Sequence, residues 1–167
     1  AGADCLMGSA GNDQITVAGG DTADGGDGTD GLSFATAVRV DAAAGAATTG
    51  GDTIRFSAFE TYALSAADDV FLGGSGAENV QGGAGQDSLF GGGGADTLIA
   101  GTGRDTVEGG LGADYMEATG GDDELSYAND TVGVVMISDG ATAGTGGEAA
   151  GDLASGFAIL RGGSGND

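Results

Sequence analysis

A nine-residue period constrains this chain more than any other feature. Seven consecutive blocks run without a gap from 64 to 126: LSAADDVFL, GGSGAENVQ, GGAGQDSLF, GGGGADTLI, AGTGRDTVE, GGLGADYME and ATGGDDELS. Each has an acid at its sixth place (Asp69, Glu78, Asp87, Asp96, Asp105, Asp114, Asp123) and an apolar residue at its eighth (Phe71, Val80, Leu89, Leu98, Val107, Met116, Leu125). Self-similarity at a fixed period is the signature of a solenoid, whose units bury a core only by stacking. It argues against an enzyme active site in this stretch.

The pattern extends upstream. GSAGNDQIT at 8–16 and GGDGTDGLS at 25–33 are two more nonamers, with acids Asp13 and Asp30 and core residues Ile15 and Leu32. GGDTAD between them reads as a shortened loop ending in Asp24, and GADCLM at 2–7 supplies half a block around Asp4. The closing GGSGND stops at the acid Asp167. Both ends therefore fall inside repeats, as expected of a piece of a longer polypeptide. The reading divides the chain into N-terminal nonamers (1–33), a spacer (34–63), the central array (64–126), a second spacer (127–161) and the start of another array (162–167).

The spacers carry strand-like runs, AVRVDA around Val38 and Val40 and VGVVMIS at 132–138. They read as copies of each other. LSFATA matches LSYAND at an offset of 93, TTGGD matches GTGGE, and FSAFE matches ASGFA at an offset of 98. One insertion of about five residues near GGEAAGD would explain the drift, and a larger array-plus-spacer unit then recurs along the chain.

Composition alone points to disorder, because Leu, Ile, Val and Phe make up roughly 18% of the chain and its net charge is −22. With 39 Gly and no Pro, the backbone has much entropy to lose, so something beyond apolar burial must stabilise a fold. Only Arg39, Arg55, Arg104 and Arg161 are basic, which makes nucleic acid or an anionic membrane a poor partner and cations a natural one. The absence of His removes Ser-His-Asp triads and helix-borne zinc sites from this segment. No run approaches the ~18 apolar residues of a membrane span, so no membrane insertion is expected. The lone Cys5 sits at a variable place and reads as a solvated thiol.

In each block the eighth residue points inward and its neighbours outward. Three strand residues then alternate with a tight turn whose glycines, at places one, two and four, permit positive φ and let carbonyls crowd together. If each block is half a coil, Asp69, Asp87, Asp105 and Asp123 line one edge, while Glu78, Asp96 and Asp114 line the other. Like charges stacked about 5 Å apart repel by on the order of 1 kcal/mol or more per pair. A hard divalent cation between each pair reverses the sign. Oxygen-only ligation on flexible loops favours Ca²⁺ over Mg²⁺, and zinc lacks its His or Cys ligands. The array offers five such pairings. Glu78–Asp96 is expected to be weaker than Asp87–Asp105 because Glu reaches differently. The outermost site is expected to be weaker because Leu64, Ser65 and Ala67 replace glycines.

These blocks resemble the haemolysin-type calcium-binding repeats of RTX proteins, whose signature GGxGxDxUx recurs here. The resemblance implies an all-β fold, a right-handed parallel β-roll (β-solenoid) of nonapeptide repeats with strand-containing spacers, holding several Ca²⁺ ions between adjacent coils. It implies side-chain ligands at the array acids, at Asp13 and Asp30, and in the partial blocks at Asp4, Asp24 and Asp167. It also implies carbonyl ligands from the loop glycines Gly74, Gly76, Gly83, Gly85, Gly92, Gly94, Gly101, Gly103, Gly110, Gly112 and Gly121. The spacers depart from the signature.

Val70, Leu72 and Phe90 are expected to form an outward apolar patch, covered by the neighbouring spacer around Phe56 and Phe59 or by a partner chain. The expected function is non-enzymatic: an extracellular or cell-surface calcium-binding module, folding on Ca²⁺ and serving as a structural or adhesive scaffold of a large type I-secreted or surface protein. Its partners would be calcium ions and further copies or flanking modules of the same protein. The alternatives are the calcium-binding secretion or folding domain of a secreted protease, lipase or epimerase, and a surface-layer or filament subunit.

Overall fold

The computed structural model describes residues 2–136 and 139–167. Short runs with alternate inward side chains become strands wherever a parallel neighbour is in register. The first eight are β1 (Cys5–Ala10), β2 (Gln14–Val17), β3 (Thr22–Asp27), β4 (Gly31–Phe34), β5 (Arg39–Asp41), β6 (Ala46–Thr49), β7 (Asp52–Ser57) and β8 (Thr61–Ala63). Then follow β9 (Val70–Leu72), β10 (Asn79–Ala84), β11 (Ser88–Gly93), β12 (Thr97–Thr102), β13 (Thr106–Leu111), β14 (Tyr115–Glu117), β15 (Glu124–Ser126), β16 (Leu153–Ser155) and β17 (Ile159–Arg161). No helix among the described residues is long and apolar enough to cross a membrane.

From β9 to β17 the chain alternates between a ten-stranded and a seven-stranded sheet. Every pairing there is parallel and joins a strand to the next but one. Phe71, Leu89, Val107 and Leu125 stack in one column, and Val80, Leu98 and Met116 in the other. All of these side chains are 0% exposed. The fold is a parallel β-roll. Strands β10 to β13 are six residues long, twice the expected three, because each continues through the first three places of the following block. Its inward positions are therefore the eighth place and the next block's first, as the burial of both Val80 and Gly82 illustrates.

The first spacer widens one sheet. After β4 the chain passes to β5, which pairs with the downstream β9, and returns through antiparallel β6 to β7, which lies parallel to β3. The β6–β7 turn takes Gly50 and Gly51 at φ 57° and 94°, the backbone that a two-residue hairpin turn needs. The larger sheet thus has three strands between β3 and β9 where the other has only β8 between β4 and β10. Aromatic rings fill the interior here: Phe56 lies 6.3 Å from Phe59 and 6.0 Å from Tyr62, and Tyr62 lies 4.9 Å from Phe71. Phe56 and Phe59 therefore sit inside the roll and do not cover Val70, Leu72 and Phe90, which are half-buried on the outer face.

Both spacers enter and leave the roll on the same hydrogen bonds. Thr61 N donates to Asp30 O at 3.0 Å, as Ile159 N does to Asp123 O, and Arg55 N donates to Asp21 O at 3.1 Å, as Leu153 N does to Asp114 O at 2.7 Å. Val38 N donates to Asp69 Oδ1 at 2.6 Å, as Val134 N does to Asp167 Oδ1 at 3.1 Å. Val38 and Val134 are thus equivalent, at an offset between those of the two ends. The drift is made in two steps and not by one insertion near GGEAAGD. The run from Val132 also differs from expectation. Its described part, 132–136, holds no strand, only a bridge from Val135 to Thr145, and 137–138 lie outside the described residues.

The two core columns should dominate stability at saturating calcium. Leu98→Ala is expected to cost about 2–5 kcal/mol in urea unfolding, and Phe90→Ala on the outer face well under half of that. Equal costs would contradict the inward and outward assignment.

Candidate metal centre

Each turn of the roll brings one acid directly over another. The backbone N–H of an acid donates to Oδ1 of the acid one coil on: Asp69 to Asp87 at 2.9 Å, and Asp87 to Asp105, Asp105 to Asp123, Glu78 to Asp96 and Asp96 to Asp114, each at 2.8 Å. The acids sort into two edges by the parity of their blocks. The N-terminal coils are one residue shorter, with Asp13 N donating to Asp30 Oδ1 at 2.8 Å and Asp4 N to Asp21 Oδ1 at 3.0 Å.

Sequence reading chose the wrong acid in the shortened loop. Asp21 is the rung and is 5% exposed, while Asp24 lies within β3 and accepts a hydrogen bond from Ser57 Oγ. The spacing from Asp4 to Asp21 equals that from Asp13 to Asp30, and this was the available signal. Glu60 and Asp152 were also missed. Glu60 Oε2 accepts from Asp30 N at 3.0 Å, and Asp152 Oδ1 accepts from Asp114 N at 2.9 Å, so both spacers return an acid to the ladder. No nonamer motif surrounds either. Asp4 and Asp167 are exposed, and Asp68 accepts from Gln86 N at the surface.

On most rungs one carboxylate oxygen remains. Oδ2 of Asp13, Asp30, Asp87, Asp96, Asp105, Asp114 and Asp123, and Oε2 of Glu78, are buried without a hydrogen-bond partner. An orphaned buried acceptor of this kind costs about 1–3 kcal/mol, and more when charged. The first-place residue makes room beside it. A Cβ built on Gly82 would lie 2.8 Å from Asp87 Oδ2 and against the carbonyl oxygen of Ala100, and one on Gly25 would lie 2.7 Å from Asp30 Oδ2 and against Ala58 O. Gly82 does not have positive φ, so at this place glycine serves close approach. Positive φ belongs to places two and four, as at Gly92 (97°) and Gly94 (123°), though Gly74 and Gly76 lack it.

The donor set fits a hard oxygen-loving cation. Among the described residues no three Asp, Glu, Cys or His side chains converge, so an ion would take one or two carboxylates and complete its shell with backbone oxygens. The space beside Gly82 and Gly91 is shared by the orphaned oxygens of Asp87 and Asp96 and by the carbonyl oxygens of the first-place residues Ala100 and Gly109, none of which is among the expected carbonyl donors. Of the expected carbonyl donors, Gly74 O already accepts Gly93 N at 3.0 Å and Gly101 O accepts both Thr119 N and Oγ1.

Burial pushes five of the array acids upward. Asp87 rises to about 6, with a smaller push from the Asp105 and Asp69 charges against the pull of Asp69 N–H. Glu78 rises to about 7 through burial and then Asp96, and Asp96, Asp105 and Asp114 rise for the same first reason. Burial, then the Asp152 charge, raises the Tyr127 hydroxyl well above its ordinary value, so it remains a donor.

A raised carboxylate stabilises the cation-free fold when protonated. That contribution is full below the unfolded value near 3.8 and is lost as pH rises through about 6. In excess chelator, strand content by circular dichroism should therefore increase from pH 7 to pH 5, while with calcium present the midpoint of the calcium titration should move to higher concentration over the same interval. Strand content in chelator that falls on acidification would contradict this assignment of the buried oxygens.

The family model described as RTX calcium-binding nonapeptide repeat (4 copies) matches residues 1–15, 72–107 and 90–125, which together make up less than half of the chain. A search of the curated proteins returns no match.

Proposed function

We propose that this chain, an RTX repeat protein whose β-roll binds calcium, is a non-enzymatic structural element of a large secreted or cell-surface protein, folded by several calcium ions outside the cell. The observation that carries this reading is the row of orphaned carboxylate oxygens, one on every array acid from Glu78 to Asp123, buried between coils. With −22 net charge and those oxygens unpaired, the chain is held open when calcium is scarce. Extracellular modules of this ligand type work near 10⁻⁴ to 10⁻³ M calcium, where binding free energy becomes folding free energy.

The scaffold role is supported by the spacers. They rejoin the roll on the same hydrogen bonds at Asp30 and Asp123, so the array-plus-spacer unit is used more than once within this sequence. A rigid element of variable length can be built this way. Adhesion, export by a type I route and a surface location follow as parts of the same proposal.

The test is a calcium titration followed by far-ultraviolet circular dichroism. Strand content should be low in chelator at pH 7 and rise cooperatively with calcium. Asp105→Asn should raise the midpoint by roughly tenfold, equivalent to about 1.4 kcal/mol. Full strand content in chelator at pH 7 would overturn the reading.

A further inference from the structure

We propose that three ladder rungs beside the spacers, at Asp21, Asp69 and Asp152, are closed without metal, by protein donors standing where the rungs with an orphaned oxygen hold a cation. This rests on reading the orphaned array oxygens as cation ligands.

Three ladder aspartates depart from the array pattern. Asp152, 0% exposed, belongs to the second spacer; its Oδ1 takes Asp114 N like any array rung, but its Oδ2 accepts the Tyr127 hydroxyl at 2.8 Å. Asp69, 1% exposed, faces the first spacer; its Oδ1 takes Val38 N, and its Oδ2 accepts Ser65 N at 2.8 Å and Ser65 Oγ at 2.9 Å. Asp21, 5% exposed, carries β7 through its carbonyl, and its Oδ2 accepts Ala18 N at 2.8 Å. None of the three keeps an orphaned oxygen, whereas Asp87, Asp96, Asp105, Asp114 and Asp123 all do. The donors differ in kind: a phenol, a serine hydroxyl with its amide, and a turn amide. Their common effect is to use the oxygen that an ion would otherwise take.

The duplicated spacer supplies an internal comparison. Leu153 and Arg55 make equivalent hydrogen bonds, so Asp152 stands where the first spacer has Ile54, 0% exposed. By the matching of LSYAND with LSFATA, Tyr127 stands where the first spacer has Phe34, 6% exposed. The hydroxyl and the carboxylate thus occur together in one copy, and both are replaced by hydrocarbon in the other. Asp152 without Tyr127 would be a buried charge lacking a donor on one oxygen, a costly arrangement. A coil that closes with Ile54 at this position needs no ligand there. The bonds at these three rungs are therefore independent of calcium concentration, and the ion count is set by the rungs that keep an orphaned oxygen.

The test is calcium stoichiometry by isothermal titration calorimetry on the whole chain, with folding checked by circular dichroism in saturating calcium. Asp105→Asn should lower the number of bound ions by at least one. Asp152→Asn, and the double variant Tyr127→Phe with Asp152→Ile, which rebuilds the first spacer's pair, should leave it unchanged. Loss of one ion from either would overturn the proposal. So would failure of the double variant to fold in saturating calcium, because it would break the equivalence with Phe34 and Ile54. An unchanged count in Asp105→Asn would instead remove the array reading beneath it.

Discussion

The β-roll depends on one contact, the N–H of a loop acid donating to a single carboxylate oxygen of the acid one coil away. Repeated at 2.8–2.9 Å along the central array, it sets coil spacing and turns every second oxygen inward with no donor. Burial then raises Glu78, Asp87, Asp96, Asp105 and Asp114, and the stacked charges repel. A bound cation relieves both penalties at once. On the proposed reading, folding and ion binding are one event in the array, and the ion supplies what a chain with so little aliphatic residue content and so much glycine lacks.

The spacers interrupt the nonamer pattern without breaking the coil. Asp21 O and Asp114 O each receive the N–H of a returning strand, and Asp30 O and Asp123 O do so one half-coil later. The first spacer achieves this with three strands inserted in one sheet and a cluster of aromatic rings, the second with a 3-10 turn packed against β13 and a tyrosine–aspartate pair. What is preserved is the set of backbone bonds at the junction. The side chains that fill the space differ.

The architecture was legible in the sequence because the solenoid is written in its period. Place eight predicted the two core columns residue by residue, and block parity predicted the two acid edges. Misreadings occurred where the period fails. In the shortened loop the motif letters favoured Asp24, whereas coil length selects Asp21. Strand length was underestimated because first-place glycines look like turn residues, while Gly82 is an inward strand position with an oxygen against it. Glu60 and Asp152 were hidden because their ladder positions are created by long-range return of the chain, with no local motif. Phe56 and Phe59 were assigned to the outer face for lack of any sign that the spacer's strands enter the sheet itself.

The most direct measurement is a crystal structure of the calcium-loaded protein at a resolution that distinguishes ions from water. The account predicts an ion about 2.3–2.6 Å from Oδ2 of each of Asp87, Asp96, Asp105 and Asp114, with its remaining ligands from backbone oxygens of the adjoining coil. Those oxygens bonded only to water or to protein donors, in a roll that is nevertheless fully formed, would contradict it.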